Sequence, residues 1–246
     1  MDPDADLETR QRQLGRNLRA LEDRIVAACR SAGRPRREVH VLAVTKTWPA
    51  HDVRLLAALG LREVAENRDQ EAAPKAQACA DLDLVWHFVG QLQTNKARSV
   101  AAYTDVVHTV DRSRLVRSLS RGAAEHDRSL RVLIQVRLDD DPRRGGATPA
   151  GLGALADLIE GSEGLELVGV MGIAPLPRDP PRDAHGANAS RAFAHLAHVA
   201  QDLRRNHPQA TWLSAGMSGD LEAAVRHGAT HLRIGTALLG SRPPLG

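Results

Sequence analysis

The sequence predicts an α/β protein, a single-domain (β/α)8 TIM barrel over residues 1–246 with an extra N-terminal helix. Three observations predict it. Eight short β-type runs recur along the chain. Helix-type segments separate them. Several runs are continuously apolar, which suits parallel strands covered by helices. An open doubly wound sheet is the competing arrangement.

The N-terminal stretch DLETRQRQLGRNLRALEDRIVAACRSAG carries Leu14, Leu18, Leu21, Ile25 and Val26 at helical spacing, and Gly33 and Pro35 end it. The β-type runs follow at VHVLAVTK (39–46), REVAEN (62–67), LVWHFVG (84–90), VVHTVD (106–111), RVLIQVRL (131–138), LELVGVMGIA (165–174), TWLSAGMS (211–218) and HLRIGTALLG (231–240). Between them, AHDVRLLAALG, SRLVRSLSRGAAEH, PAGLGALADLIEG, SRAFAHLAHVAQDLRR and GDLEAAVRHGA read as helices. The irregular stretch 175–190 reads as a long βα loop, with a linker as the alternative.

Composition narrows the function. Aromatic residues make up 2% of the 246-residue chain, so Leu, Val, Ala and Ile must fill the core. The net charge is +3, with 33 basic and 30 acidic residues spread along the chain. No basic block of the nucleic-acid-binding kind is present, so no nucleic-acid partner is expected. Cys29 and Cys79 stand alone, which implies neither a disulfide framework nor a cysteine metal cluster. The charged first thirty residues are no signal peptide, and no apolar run reaches the ~20 residues of a membrane span. A cytoplasmic protein without a membrane partner is expected.

Only three basic residues are lysines, namely Lys46, Lys75 and Lys96. Arginine stays protonated, whereas lysine can be desolvated into a neutral nucleophile. Lys46 ends the first apolar run, and in a barrel the C-terminal strand ends form the active face. The plain reading is a strand-end lysine reaching solvent. The functional reading is an amine able to form a Schiff base with an aldehyde.

Two further strand ends stand out. In HLRIGTALLG, Gly235 lets a ligand approach the backbone, and the N–H groups of Gly235 and Thr236 with the Thr236 hydroxyl suit a phosphate. A glycine easing barrel curvature is the plain alternative. In SAGMSGDLEAA, Ser218 reads as a helix N-cap beside an anion site. His87, Lys96 and Glu66-Asn67 read equally well as packed, surface and turn residues. No metal set is evident, since His195 and His198 lack a third ligand. A lone lysine opposite a phosphate site suggests pyridoxal 5′-phosphate (PLP).

At these residues the chain resembles the YggS/PROSC family of PLP homeostasis proteins. The shared motifs are AVTKTWP (43–49), AENRDQE (65–71), WHFVGQLQTNK (86–96), HTVDR (108–112), GVMGIAP (169–175), LSAGMSGDLEAA (213–224) and RIGTALLG (233–240). The resemblance implies a barrel like the N-terminal domain of alanine racemase, with PLP as an internal aldimine on Lys46. It implies that Ser218, Gly235 and Thr236 hold the phosphate, lined by Ser214 and Met217. Arg233 would face the pyridine nitrogen, and Asn67 and His87 would line the pocket. Two positions depart from the family pattern: Ala65 precedes Glu66-Asn67 in place of glycine, and Arg144 stands for a lysine before Gly145-Gly146.

The resemblance also implies a role in vitamin B6 and amino-acid balance without catalytic turnover, with PLP-dependent apo-enzymes as recipients and a monomer rather than a dimer. An arginine at the pyridine nitrogen weakens the electron sink. The only tyrosine, Tyr103, falls on a predicted helix, so a second base opposite Lys46 is not expected. An amino-acid racemase or another weak PLP enzyme is the alternative. Lys75 and Lys96 remain open as a second PLP site.

Overall fold

The computed structural model describes residues 3–139, 145–175 and 184–241. Arg144 and positions 176–183 of the irregular stretch lie outside them. The strands are β1 (His40–Val44), β2 (Glu63–Glu66), β3 (Val85–Phe88), β4 (Val106–Val110), β5 (Leu130–Gln135), β6 (Leu165–Met171), β7 (Trp212–Ser214) and β8 (His231–Ile234). They form a closed barrel in chain order. The expected barrel is the fold found. The open sheet is excluded because β8 pairs in parallel with β1, His40 opposite His231 and Ala43 opposite Ile234.

The helices are α1 (Pro3–Ser31), α2 (Ala50–Ala58), α3 (Asp69–Ala78), α4 (Ala97–Tyr103), α5 (Ser113–Glu125), α6 (Leu152–Glu160), α7 (Ala184–Asn206), α8 (Leu221–Arg226) and α9 (Thr236–Leu239). Apolar side chains between strands and helices form the main core, with Phe193, Leu196, Leu119 and Ile159 fully or almost fully buried. Aliphatic volume fills it, as the scarcity of aromatics demands. The close approach of β6 and β7 requires Gly169, where a Cβ would sit 1.9 Å from the Trp212 carbonyl oxygen.

Helix α1 packs on α2, α8 and α9. Leu14, Leu21 and Ile25 are buried, as their spacing predicts, while Val26 faces solvent. Arg10 of α1 donates to both Asp52 carboxylate oxygens at 3.0 Å and lies over the Trp48 ring at 4.4 Å. The extra helix therefore clamps the loop that follows Lys46.

The run 231–240 is strand only in its first part. At Gly235 the backbone turns to φ −108° and ψ −82°, and the Leu238 and Leu239 N–H groups bond back to the Gly235 carbonyl. The apolar residues after Gly235 belong to α9, whose Leu238 and Leu239 are buried. Two small apolar clusters stand apart from the main core: Leu42, Val44 and Ala65, and Val106, Leu133, Val168 and Met171. Along the strands side chains alternate between the two faces. These clusters face the barrel interior, which also holds the buried polar residues His87, His108, Ser214 and Arg233.

Candidate cofactor site

Lys46 sits in the turn just past β1 and is half-buried. Among the described residues its amine has no hydrogen bond and no ion pair. The next residue, Thr47, holds φ +66°, in the left-handed region that disfavours a β-branched side chain. Its N–H donates to Glu71 Oε2 at 3.0 Å, which pins that conformation. Thr45, on the other side, is fully buried, and its hydroxyl donates to Glu66 Oε1 at 2.6 Å. Lys75 donates to the same carboxylate oxygen at 2.5 Å and to the Thr45 carbonyl at 2.9 Å. Burial pushes the Glu66 carboxyl upward against the pull of Lys75. This buried knot fixes the backbone on one side of Lys46 while the strained Thr47 fixes the other. The arrangement presents a free amine from a rigid base.

The loops after β7 and β8 meet beside it. Ala43 pairs with Ile234, so the chain leaves β8 at Gly235 next to the end of β1. A Cβ on Gly235 would lie 3.6 Å from the Val44 carbonyl oxygen, an ordinary contact, so internal packing does not demand glycine there. Among the described residues, the N–H groups of Gly235 and Thr236 have no partner. Ser218 does not cap α8. Its hydroxyl instead accepts the Ala237 N–H at 3.0 Å, which joins the two loops. The turn before α8 is closed by Asp220, whose Oδ1 takes the Met217 N–H at 2.6 Å. Met217 is left 38% exposed at the rim. Gly216 takes φ +88°, and a Cβ there would strike Ala224 at 2.5 Å. Two backbone donors are thus left without partners among the described residues, and their chemistry suits a phosphate.

Arg233 lies deeper and is buried. It donates to Ser214 Oγ and to the Gly172 carbonyl, both at 2.8 Å. Burial pushes the guanidinium down to about 10, so it stays charged at neutral pH. Among the described residues no carboxylate pairs with it. A buried cation with no directly paired carboxylate, helped only by the more distant charge of Asp220, is costly, which marks a functional position.

A line of polar groups runs from this cation down the barrel. Ser214 Oγ lies 3.0 Å from His108 Nδ1, and His108 Nε2 lies 2.8 Å from His87 Nδ1. His87 Nε2 faces Glu63 Oε2 at a looser 3.4 Å. Burial pushes both imidazoles below their ordinary value, so they are neutral. Because Arg233 can only donate, Ser214 must pass its own hydrogen to His108 Nδ1. Each neutral ring then carries its hydrogen on Nε2: His108 donates to His87, and His87 Nε2 faces the Glu63 carboxylate without a formed hydrogen bond. One set of tautomers satisfies the links from Arg233 to His87.

The remaining expected residues are placed as follows. Asn67 follows β2 directly, and its backbone is so close to Gly90 that a Cβ there would sit 2.0 Å from the Asn67 carbonyl oxygen. His87, expected to line the pocket, is in the interior, two links from Ser214. Lys75 is locked to Glu66 and is no accessible second PLP site. Lys96 lies 3.8 Å from Asp69 on the surface. The Tyr103 hydroxyl faces Asp69 at 3.4 Å, in the helical layer. Sequence reasoning missed His108, Glu63 and the Thr45–Glu66–Lys75 knot, whose partners are 9 to 30 residues apart. It also did not bring together His40, Glu63 and His231, which meet only when the barrel closes.

The fold and this mouth define a barrel protein with an amine in the turn after one strand, unpartnered backbone donors at the end of the neighbouring strand and a buried cation deeper on that strand. The chain belongs to the pyridoxal phosphate homeostasis proteins, within the family of the alanine racemase N-terminal domain, whose pattern matches residues 16–243. A pyridoxal phosphate homeostasis protein of Mycobacterium tuberculosis H37Rv is 44% identical over 252 residues, covering 95% of this chain and 94% of that one. PipY of Synechococcus elongatus PCC7942, solved without PLP, superposes with a TM-score of 0.81 at 37% identity, covering 93% of this chain and 100% of that one. Solved with PLP bound, PipY superposes at 0.79, with the same identity and coverage.

Proposed function

We propose that this chain is a PLP carrier that serves vitamin B6 and amino-acid balance in the cytoplasm, with Lys46 as its covalent attachment point. PLP supplies an aldehyde for an amine and an electron-withdrawing ring. The observation that carries the reading is that the turn bearing Lys46, at the end of β1, neighbours the end of β8, where the Gly235 and Thr236 N–H groups have no partner among the described residues. Ser218 braces that cradle, and Met217 and Ser214 line it. Arg233 would supply the positive charge toward the ring nitrogen, which would disfavour protonation there. Asn67 closes the β2 side of the mouth.

Turnover on amino acids is disfavoured by the same residues. A racemase needs a base on each face of its substrate, and Lys46 is one. Tyr103 is engaged with Asp69 in the helical layer, and burial raises its hydroxyl well above the ordinary phenol value. His87 and His108 are buried beneath Ser214, with their ring nitrogens committed to the interior line. PLP-dependent apo-enzymes are the recipients on this reading, and the carrier acts as a monomer.

Borohydride reduction of the PLP-incubated protein followed by peptide mapping tests the attachment. The expected result is a pyridoxyl group on Lys46 and a lost visible band. A colourless protein that stays unmodified rejects the proposal. Sustained deuterium exchange at the α-carbon of added amino acids would turn the carrier into an enzyme.

A further inference from the structure

The end of the barrel opposite the mouth carries a second cluster. We propose that this floor binds one divalent transition-metal ion of the zinc type, held by His40, Glu63 and His231. The residues open three neighbouring strands, β1, β2 and β8, and His40 stands directly opposite His231 in the register. One ligand atom from each lies within 4.8 Å of the others. Two imidazoles and a carboxylate are a donor set that suits zinc better than calcium or magnesium. Three protein ligands leave a fourth position for water.

The surroundings prepare each ligand. His231 is buried, and its Nδ1 lies 2.8 Å from Thr230 Oγ1. That hydroxyl also faces the Leu213 carbonyl at 3.3 Å and takes the Leu213 N–H at 2.8 Å. With the Thr230 hydrogen on Leu213, His231 donates from Nδ1 and keeps an Nε2 lone pair. A metal-binding histidine is commonly oriented through its other nitrogen in this way. Glu63 Oε2 is buried without a hydrogen-bond partner, and so is His87 Nε2 beside it. A cation at Glu63 would meet a carboxylate oxygen that makes only the loose 3.4 Å approach to His87 Nε2. His40 is half-exposed and gives the ion a route from solvent.

His40 is also the part that moves. Its ring stacks on His231 at 4.8 Å with 11° between the planes, so the two in-plane lone pairs run side by side. Its Nδ1 lies 2.9 Å from Glu63 Oε1. Metal binding requires the His40 ring to turn toward Glu63 and Nδ1 to give up its hydrogen, as a proton to water from the protonated ring and by a shift to Nε2 in the neutral one. His231 cannot turn in the same way, being held between His40 and Trp212, whose ring lies 4.1 Å away.

The test uses the full chain, stripped with chelator and then titrated with zinc by calorimetry and with cobalt by visible absorbance. The expected result is one equivalent per chain with proton release and a raised melting temperature. H40Q should weaken binding about a hundredfold, as loss of one of three ligands, and H198Q should leave it unchanged. H40Q alters a rim residue, so it decides the matter even if E63Q fails to fold. Absence of stoichiometric binding overturns the proposal. So does binding that H40Q leaves unchanged, which assigns the metal to surface histidines. The floor site is read independently of PLP, so neither outcome bears on the mouth.

Discussion

The layer between strands and helices and the interior of the barrel are built from opposite materials. The outer layer is aliphatic and nearly continuous, with Leu14, Leu119, Ile159 and Phe193 almost wholly buried. The interior mixes two small apolar clusters with a line of histidine, serine and arginine. The difference teaches that stability and function are carried by separate faces of the same strands. Phe193→Ala should sharpen this most. It removes a buried ring from the outer layer and should cost about 3–5 kcal/mol in urea unfolding, with the absorbance maximum of bound PLP unchanged. K46A should do the reverse, with unfolding of the PLP-free protein changed by about 0.5 kcal/mol or less and covalent PLP attachment lost. A strongly destabilised K46A would break the separation.

His108→Leu probes the interior at similar volume. It leaves Ser214 and His87 Nδ1 without their partner inside the barrel. An unsatisfied buried polar group costs roughly 1–3 kcal/mol, so a loss of about 2 kcal/mol is expected. Ser214 would also lose one of the bonds that orient it under Arg233. The absorbance maximum of bound PLP should therefore shift, which F193A does not produce. An unshifted spectrum would mean that the line is packing alone.

The outer layer was the legible part. Its signals are local: Leu14, Leu21 and Ile25 at helical spacing, and continuous apolar runs for strands buried on both faces. The mouth was legible where chemistry coincides with a strand end, as at Lys46 and Gly235. Ser218 shows where that stops. Its position before α8 reads as an N-cap, yet its hydroxyl serves Ala237, 19 residues away and brought near by barrel closure. The histidine line was not legible either. His87, His108 and Ser214 come from β3, β4 and β7, and only the pleat and the strand order decide that their side chains meet. The same holds for the floor, where His40 and His231 lie at opposite ends of the chain.

Acid titration separates the floor from the rest. Burial alone would raise the Glu63 carboxyl, but the contacts with His40 and His87 outweigh it and hold it below its ordinary value. A depressed carboxyl contributes stability above its unfolded value, about 4.5, and loses it as pH falls. The hydrogen bond to Glu63 raises His40, against the opposing pull of partial burial. Its contribution is present below its unfolded value, about 6.5, and fades as pH rises through the folded one. The stability gap between wild type and H40Q should thus be widest between about pH 5 and 6.5, and close on both sides. Thermal melts in chelator would check this. A gap that is flat with pH would mean that the pair contributes no charge interaction.

The smallest expected effect is at Thr47, and it bears most directly on how the mouth is built. A left-handed conformation costs a side-chain-bearing residue about 1–2 kcal/mol, whereas glycine adopts it freely. The greater backbone freedom of glycine in the unfolded chain offsets roughly 0.5–1 kcal/mol of that. Thr47 is exposed, so its side chain adds little packing. T47G should accordingly stabilise the PLP-free protein by about 0.5 kcal/mol, measured in urea. The freed turn should hold Lys46 less firmly, and PLP should leave the variant faster when a competing amine is added. If T47G both destabilises the protein and retains PLP unchanged, the strain at Thr47 has no part in presenting the amine. The Thr45–Glu66–Lys75 knot alone would then set the direction of Lys46.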